Sequence, residues 1–216
     1  MYSGYDYLDK MSKNILQKIT YVFKNAMHIG AIIPSGEFLT VQLSSGEKIY
    51  THLVGEYNFP NVMAAVAIGK TFNIEEEKII DALEAYIPSN SRSQMIEKAG
   101  NKIILDAYNA NPTSMKAAIE NFAKMDGDKK ILILGAMKEL GNETKKEHQD
   151  LITEIQKYKW EKVILVGNEF DEIPEGIFYF NDVYEVKDWI DEQAFKNRLI
   201  LIKGSRSMQL EKVLNG

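Results

Sequence analysis

From residue 93 onward, short apolar runs alternate with segments of helical period, and this alternation limits the fold more than any other feature. Runs of strand length lie at 93–97, 102–106, 130–134, 162–166, 177–180 and 199–202. Between and after them, 112–125, 144–158, 182–194 and 206–214 read as amphipathic helices. Met115, Ile119 and Phe122 share one face of the first helix, and Leu151, Ile155 and Tyr158 one face of the second. Strands apolar on both sides must be covered on both sides. The pattern therefore predicts an α/β fold with a doubly wound, mostly parallel sheet.

The first third has a different rhythm. Leu39, Val41 and Leu43 alternate with polar neighbours, Ser44-Ser45-Gly46-Glu47 supplies a turn, and Ile49, Thr51 and Leu53 alternate again, which predicts a β-hairpin. Residues 60–71 and 75–86 then take helical period, the first through Val62, Val66 and Gly69 and the second through Ile79, Ile80, Leu83 and Tyr86. Ile87-Pro88-Ser89-Asn90-Ser91 interrupts both patterns and reads as a linker. The expected domains are 1–88 and 89–216. The first ten residues show no clear core pattern and read as a short lead-in or a cut end.

Composition narrows the class. A net charge of -5 with no dense Lys/Arg cluster argues against a general nucleic-acid binder. No cysteine is present, which excludes disulfides, thiolate metal sites and a cysteine nucleophile. No apolar run reaches membrane-spanning length and no signal-peptide pattern opens the chain, so a cytoplasmic protein is expected.

Chemistry concentrates where predicted strands end. Asp106 closes the run Ile103-Ile104-Leu105 and is followed by Ala107-Tyr108-Asn109-Ala110-Asn111-Pro112. A carboxylate at that place can accept two ribose hydroxyls, since open α/β sheets bind nucleotides there; it can equally be a turn or cap acid. Asn111 suits a helix N-cap with Pro112 in the first turn, and the helix start would offer N–H groups to phosphate. Gly135 to Gly141 follows the strand Ile131–Leu134 and would lie beside the Asp106 loop if the two strands are neighbours. Lys203-Gly204-Ser205-Arg206 follows the last strand, where two cations suit a carboxylate or phosphate, or form a solvated basic turn.

Other signals point to structure. Gly69-Lys70-Thr71 looks like the tail of a P-loop, but position 64 is alanine and the segment ends a helix rather than preceding one. His28, His52 and His148 show no metal-ligand spacing, and His148 reads as a partly buried surface group.

Several of these segments together resemble the Mur ligases, the ATP-dependent amide-forming enzymes of peptidoglycan precursor synthesis. Gly55-Glu56-Tyr57-Asn58-Phe59-Pro60-Asn61-Val62-Met63-Ala64-Ala65 is similar to the family's Gly-x-(aromatic or His)-Asn-x-x-Asn-x-x-Ala-Ala segment. Asp106 to Pro112 resembles the motif of the MurF branch, which adds D-alanyl-D-alanine to the UDP-N-acetylmuramoyl tripeptide, and Leu134–Gly141 and Lys203–Met208 look like that branch too. The branch often has aspartate where this chain has Ala136.

The resemblance implies that residues 1–88 are the C-terminal remnant of the central ATPase domain and 89–216 the Rossmann-like C-terminal domain, with a hinge at 87–91. It implies an ATP-dependent ligase acting through an acyl phosphate, with ATP and Mg2+ held mostly by residues not present here. Asn61, and with it Asn58, would contact adenine; Arg92 would approach the ribose or phosphates; Asp106 would bind the ribose hydroxyls. Tyr108, Asn109 and Asn111 would line the cleft, and Lys203 and Arg206 would hold the carboxylate of the incoming dipeptide. No catalytic residue and no metal ligand is expected within this chain, which on its own would be inactive. Two alternatives stand beside this: another Mur-type or folylpolyglutamate-type ligase, and a non-catalytic nucleotide- or peptide-binding module. Exposed faces of the first part are expected to pair with another copy if left uncovered.

Overall fold

The computed structural model describes residue 2 and residues 6–22, 26–34 and 36–214. The chain forms two compact units, Met1–Ile87 and Pro88–Gly216.

In the first unit a short helix α1 (Asp6–Met11) precedes four strands, β1 (Tyr21–Val22), β2 (His28–Ile33), β3 (Phe38–Leu43) and β4 (Lys48–Val54), paired in that order. The hairpin expected from alternation is β3–β4. Its turn is closed by Leu43 N–H donating to Glu47 O at 2.8 Å, with Gly46 at φ 97°. β1 and β2 were not distinguished in the sequence, because β1 is only two residues long and β2 lacks alternating burial. Tyr2 bridges to Tyr21 and packs against the core of this unit.

Helices α2 (Phe59–Thr71) and α3 (Glu76–Glu84) follow. Val62 and Val66 are buried on the shared face, and Gly69 has to be small. A Cβ there would lie 2.7 Å from the Ile79 side chain of α3. Lys70 pairs with Glu76 at 2.7 Å and the Thr71 hydroxyl donates to Ala67 O at 2.7 Å. The Gly69-Lys70-Thr71 segment is thus a helix-packing feature.

The second unit is built on six strands: β5 (Gln94–Lys98), β6 (Asn101–Asp106), β7 (Lys130–Gly135), β8 (Lys162–Val166), β9 (Phe178–Phe180) and β10 (Leu199–Lys203). Their order is β5-β6-β10-β7-β8-β9, with β5 antiparallel to β6 and all other pairs parallel. Helix α4 (Pro112–Lys124) links β6 to β7, α5 (Thr144–Ile155) links β7 to β8, and α6 (Val183–Gln193) links β9 to β10.

Alternation along each strand splits the sheet into two apolar faces. Ile103, Leu105, Ile131, Ile133, Ile164, Val166, Ile200 and Ile202 form one cluster with Val183 and Val186 of α6. The opposite face is left to α4 and α5, where Met115, Ile119 and Phe122 of α4 and Leu151 and Ile155 of α5 are buried. Each layer holds one tryptophan. Trp160 stacks on Phe122 with ring centres 5.8 Å apart, while Trp189 lies against Phe178 at 4.7 Å.

One element differs in kind from the sequence reading. Residues 206–214 form two 3-10 segments, Arg206–Met208 and Leu210–Leu214, not an α-helix. Gln209 between them takes φ 51°, which breaks helical continuation. Leu210 and Val213, three apart, are both buried in the α6-side cluster, and a period of three puts them on one line.

The strand ends are tightly fitted. A Cβ on Gly204 would sit 2.9 Å from Gly135 Cα, a backbone atom that cannot swing aside, and 2.8 Å from Leu210 Cδ1. Gly204→Ala should therefore cost about 1–3 kcal/mol, read as a lower urea midpoint for the second unit.

Candidate functional site

At the carboxyl end of the parallel sheet, neighbouring strands send their chains to opposite faces. β6 and β7 lead to α4 and α5 on one side, and β10 between them leads to the 3-10 segments on the other. Such a switch point opens a crevice outside the strand ends, the usual ligand position in open α/β sheets. Because β10 intervenes, the Gly135–Gly141 loop does not neighbour the Asp106 loop; it neighbours the Lys203–Arg206 loop instead.

Asp106 lies at this edge. Its register partner on β10 is Lys203, and the two side chains meet with Nζ to Oδ2 at 2.6 Å. Strand period places Asp106 and Lys203 on the same face, since each follows a residue of the opposite cluster, Leu105 and Ile202. The other carboxylate oxygen, Oδ1, accepts the Ser93 N–H at 3.0 Å. Lys203 also donates to Asn109 O at 3.4 Å. The sequence reading set Lys203 beside Arg206 on an incoming carboxylate. In the structure Lys203 is 2% exposed and paired with the chain's own Asp106, whereas Arg206 is exposed.

Tyr108 gathers the remaining cations. The Arg92 guanidinium lies 3.6 Å from its ring centre and that of Arg206 5.0 Å. Neither arginine has a carboxylate partner among the described residues. Two cations over one ring repel each other, and an anion between them would relieve that repulsion. Tyr108 N–H donates to Ser91 O at 3.1 Å. Asn90, Ser91 and Ser93 have φ of 56°, 57° and 47°, a left-handed geometry that costs non-glycine residues energy. The Ser91 and Ser93 hydrogen bonds hold the segment there. Sequence reading took Ser91 as linker composition and Ser93 as the start of a strand, and missed their place at the site.

Asn111 is the N-cap of α4. Its side chain accepts the Ser114 N–H at 2.9 Å, and Ser114 Oγ receives the Asn111 N–H at 3.2 Å, a reciprocal capping box behind Pro112. Asn109 Oδ1 accepts the Ala110 N–H at 2.9 Å. In the first unit, Asn58 Nδ2 donates to Val54 O at 2.9 Å and Asn61 Nδ2 to Asn58 Oδ1 at 3.2 Å. The glycine opening that motif, Gly55, has φ 92°, and a Cβ on it would collide with the Tyr57 ring.

Two loops at the second unit's edge are stitched together by residues that sequence reading undervalued. Ser205 Oγ accepts the Lys138 N–H at 2.9 Å, and Ala136, fully buried, donates its N–H to Val166 O at 2.8 Å. Burial explains why a small apolar residue serves at position 136. Lys138 pairs with Glu169 beyond β8. His148 is 1% exposed, not a partly buried surface group. Its Nε2 accepts the Met137 N–H at 3.0 Å, and Nδ1 lies 2.7 Å from Thr144 O. A carbonyl at Nδ1 requires the proton there, so the ring is the Nδ1–H tautomer. Among the described residues no group of three His, Asp or Glu could hold a metal ion.

The family model described as Mur ligase, glutamate ligase domain, matches residues 91–206, the stretch holding Arg92, Asp106, Tyr108, Lys203 and Arg206. The chain belongs to the Mur ligase family. Over 173 residues it is 35% identical to the UDP-N-acetylmuramoyl-tripeptide–D-alanyl-D-alanine ligase of Bacillus subtilis, covering 75% of this chain and 38% of that one. The crystal structure of MurF from Acinetobacter baumannii superposes with a TM-score of 0.84 at 25% identity, covering 99% of this chain and 49% of the other. The MurF ligase of Thermotoga maritima in complex with ADP, at 20% identity and a TM-score of 0.79, shares the fold over 95% of this chain and 50% of that one. This Mur ligase chain thus spans half or less of the length of these relatives.

His148→Leu should leave the buried Met137 N–H without an acceptor, at a cost of about 1–3 kcal/mol. Chemical denaturation would measure the loss, and amide exchange should quicken at Met137 and Lys138 first.

Proposed function

We propose that this chain is part of an ATP-dependent ligase that joins D-alanyl-D-alanine to the UDP-N-acetylmuramoyl tripeptide. In it, residues 89–216 position the nucleotide and the amino substrate, and residues 1–88 are the end of the central ATPase domain. The observation carrying the reading is the Asp106 carboxylate, held at both oxygens at the sheet's switch point, together with two arginines over the Tyr108 ring that lack acidic partners among the described residues. The activity for which the Bacillus subtilis relative is named supports the substrate assignment.

The residues fit a nucleoside polyphosphate. Asp106 accepts the ribose hydroxyls, Arg92 approaches the phosphates, and Tyr108 keeps its guanidinium in place. Asn109 and the α4 start at Asn111 line the same edge. Arg206, exposed and able to bind in a bidentate way, takes the carboxylate of the incoming dipeptide. In the first unit, Asn61 contacts adenine and Asn58, 8% exposed, steadies it. These tasks are positioning: they hold reactants in attacking geometry rather than break bonds.

When bound, ATP would supply its γ-phosphoryl group to the tripeptide carboxylate, leaving ADP and an acyl phosphate, from which the dipeptide amine would displace phosphate as the amide forms. No residue of these 216 is assigned to phosphoryl transfer or to Mg2+, and the sequence contains no complete P-loop. The chain alone is accordingly inactive, and steady ADP and phosphate release from the isolated 216 residues would refute this.

Asp106→Asn keeps the side chain's size but weakens the acceptor. It should lower ADP affinity about tenfold or more, as charged hydrogen bonds contribute about 1.5–3 kcal/mol. Unchanged affinity by calorimetry would remove the ribose assignment.

A further inference from the structure

We infer that Lys203 is a positioning residue that aims the Asp106 carboxylate at a vicinal diol, and is not itself a ligand for the substrate. The inference rests on the reading of Asp106 as the ribose acceptor and goes one step past it.

Lys203 has no path to a ligand of its own: its side chain is 3% exposed, and its ammonium is spent on Asp106 Oδ2 at 2.6 Å and Asn109 O at 3.4 Å. Both residues end adjacent parallel strands in direct register, so the pair is set by the sheet itself and not by a flexible loop. Ser93 N–H holds the opposite oxygen, Oδ1, at 3.0 Å. A carboxylate offers about four lone-pair directions, two on each oxygen. Ser93 and Lys203 each take one, from different oxygens. One direction per oxygen remains, which matches the two O–H donors of a cis-diol. Without Lys203 the carboxylate would keep one anchor and could rotate about its Cβ–Cγ bond. The same ammonium, through Asn109 O, ties the start of the Tyr108–Asn111 segment to this geometry.

The test compares ADP with 2′,3′-dideoxyADP on the 216-residue chain, by NMR titration of wild type, Lys203→Met and Lys203→Arg. Wild type should favour ADP by about tenfold, the equivalent of a pair of hydrogen bonds to a charged group. Lys203→Met should erase that preference while leaving dideoxyADP affinity within about twofold, and Lys203→Arg should restore part of it. A purely structural lysine would weaken both nucleotides alike, and that result, or an intact preference in Lys203→Met, overturns the inference. The Ser93 amide is the second readout: its hydrogen exchange should quicken in Lys203→Met as Asp106 loosens. If wild type binds neither nucleotide, or both equally, the ribose reading fails, and Ser93 exchange alone then decides the positioning role, with an unchanged rate counting against it. Should Lys203→Met not fold, Lys203→Gln, which keeps a neutral donor, serves in the same comparison.

Discussion

A buried ammonium meeting a carboxylate where β10 enters between β6 and β7 is the contact on which the second unit's edge depends. Burying the ammonium without a counter-charge is costly, so each residue stabilises the placement of the other. The sheet resolves this by register: Asp106 and Lys203 sit opposite each other on parallel neighbours and point to the same face. From that pair the local structure spreads in three directions. Ser93 is drawn in from the chain before β5, Asn109 from the segment before α4, and Gly204 is brought against Gly135 on the next strand. The pair does not need to stabilise the fold strongly to matter. Its effect is specificity, since one register of β10 satisfies both charges and a slip of one residue satisfies neither.

The rest of the edge is organised by neutral hydrogen bonds in a buried setting. The loop after β7 has its amides claimed in sequence, Ala136 by Val166 O, Met137 by His148 Nε2 and Lys138 by Ser205 Oγ. A loop with every inner donor satisfied is rigid, and a rigid loop beside the switch point presents its outer atoms in fixed directions. Sites that hold reactants in place gain from such stiffness, because loose support at one ångström is already costly.

Much of this was legible in the sequence, for reasons that differ by element. The strands of the second unit announce themselves because both faces are covered, leaving runs such as Ile131-Leu132-Ile133-Leu134 with no polar interruption. Helix α4 was legible at its start because Asn-Pro is a local signal, complete within four residues. What was not legible depends on strand order. That β10 lies between β6 and β7 is nonlocal, so the sequence does not reveal that Lys203 meets Asp106, and the strand adjacency that would set the Gly135 loop beside the Asp106 loop is not met. His148 misled for a related reason: a histidine on a helix shows its period but not the distant Met137 amide that buries it. At the C-terminal end, Leu210 and Val213 at spacing three fit an α-helix or a 3-10 turn, and only Gln209's backbone separates them.

The placement of aromatic side chains carries an optical consequence. The chain has two tryptophans, and both lie in the second unit, one within each covering layer of its sheet. Indole emission therefore reports on residues 88–216 alone, with Trp160 sensing the α4–α5 layer and Trp189 the α6 layer. The first unit contains tyrosine and phenylalanine but no tryptophan, while tyrosine also occurs in the second unit at Tyr108, Tyr158, Tyr179 and Tyr184. Excitation at the red edge of the indole band, where tyrosine does not absorb, therefore follows the melting of the second unit alone in an unmodified sample, whereas the tyrosine signal reports on both units.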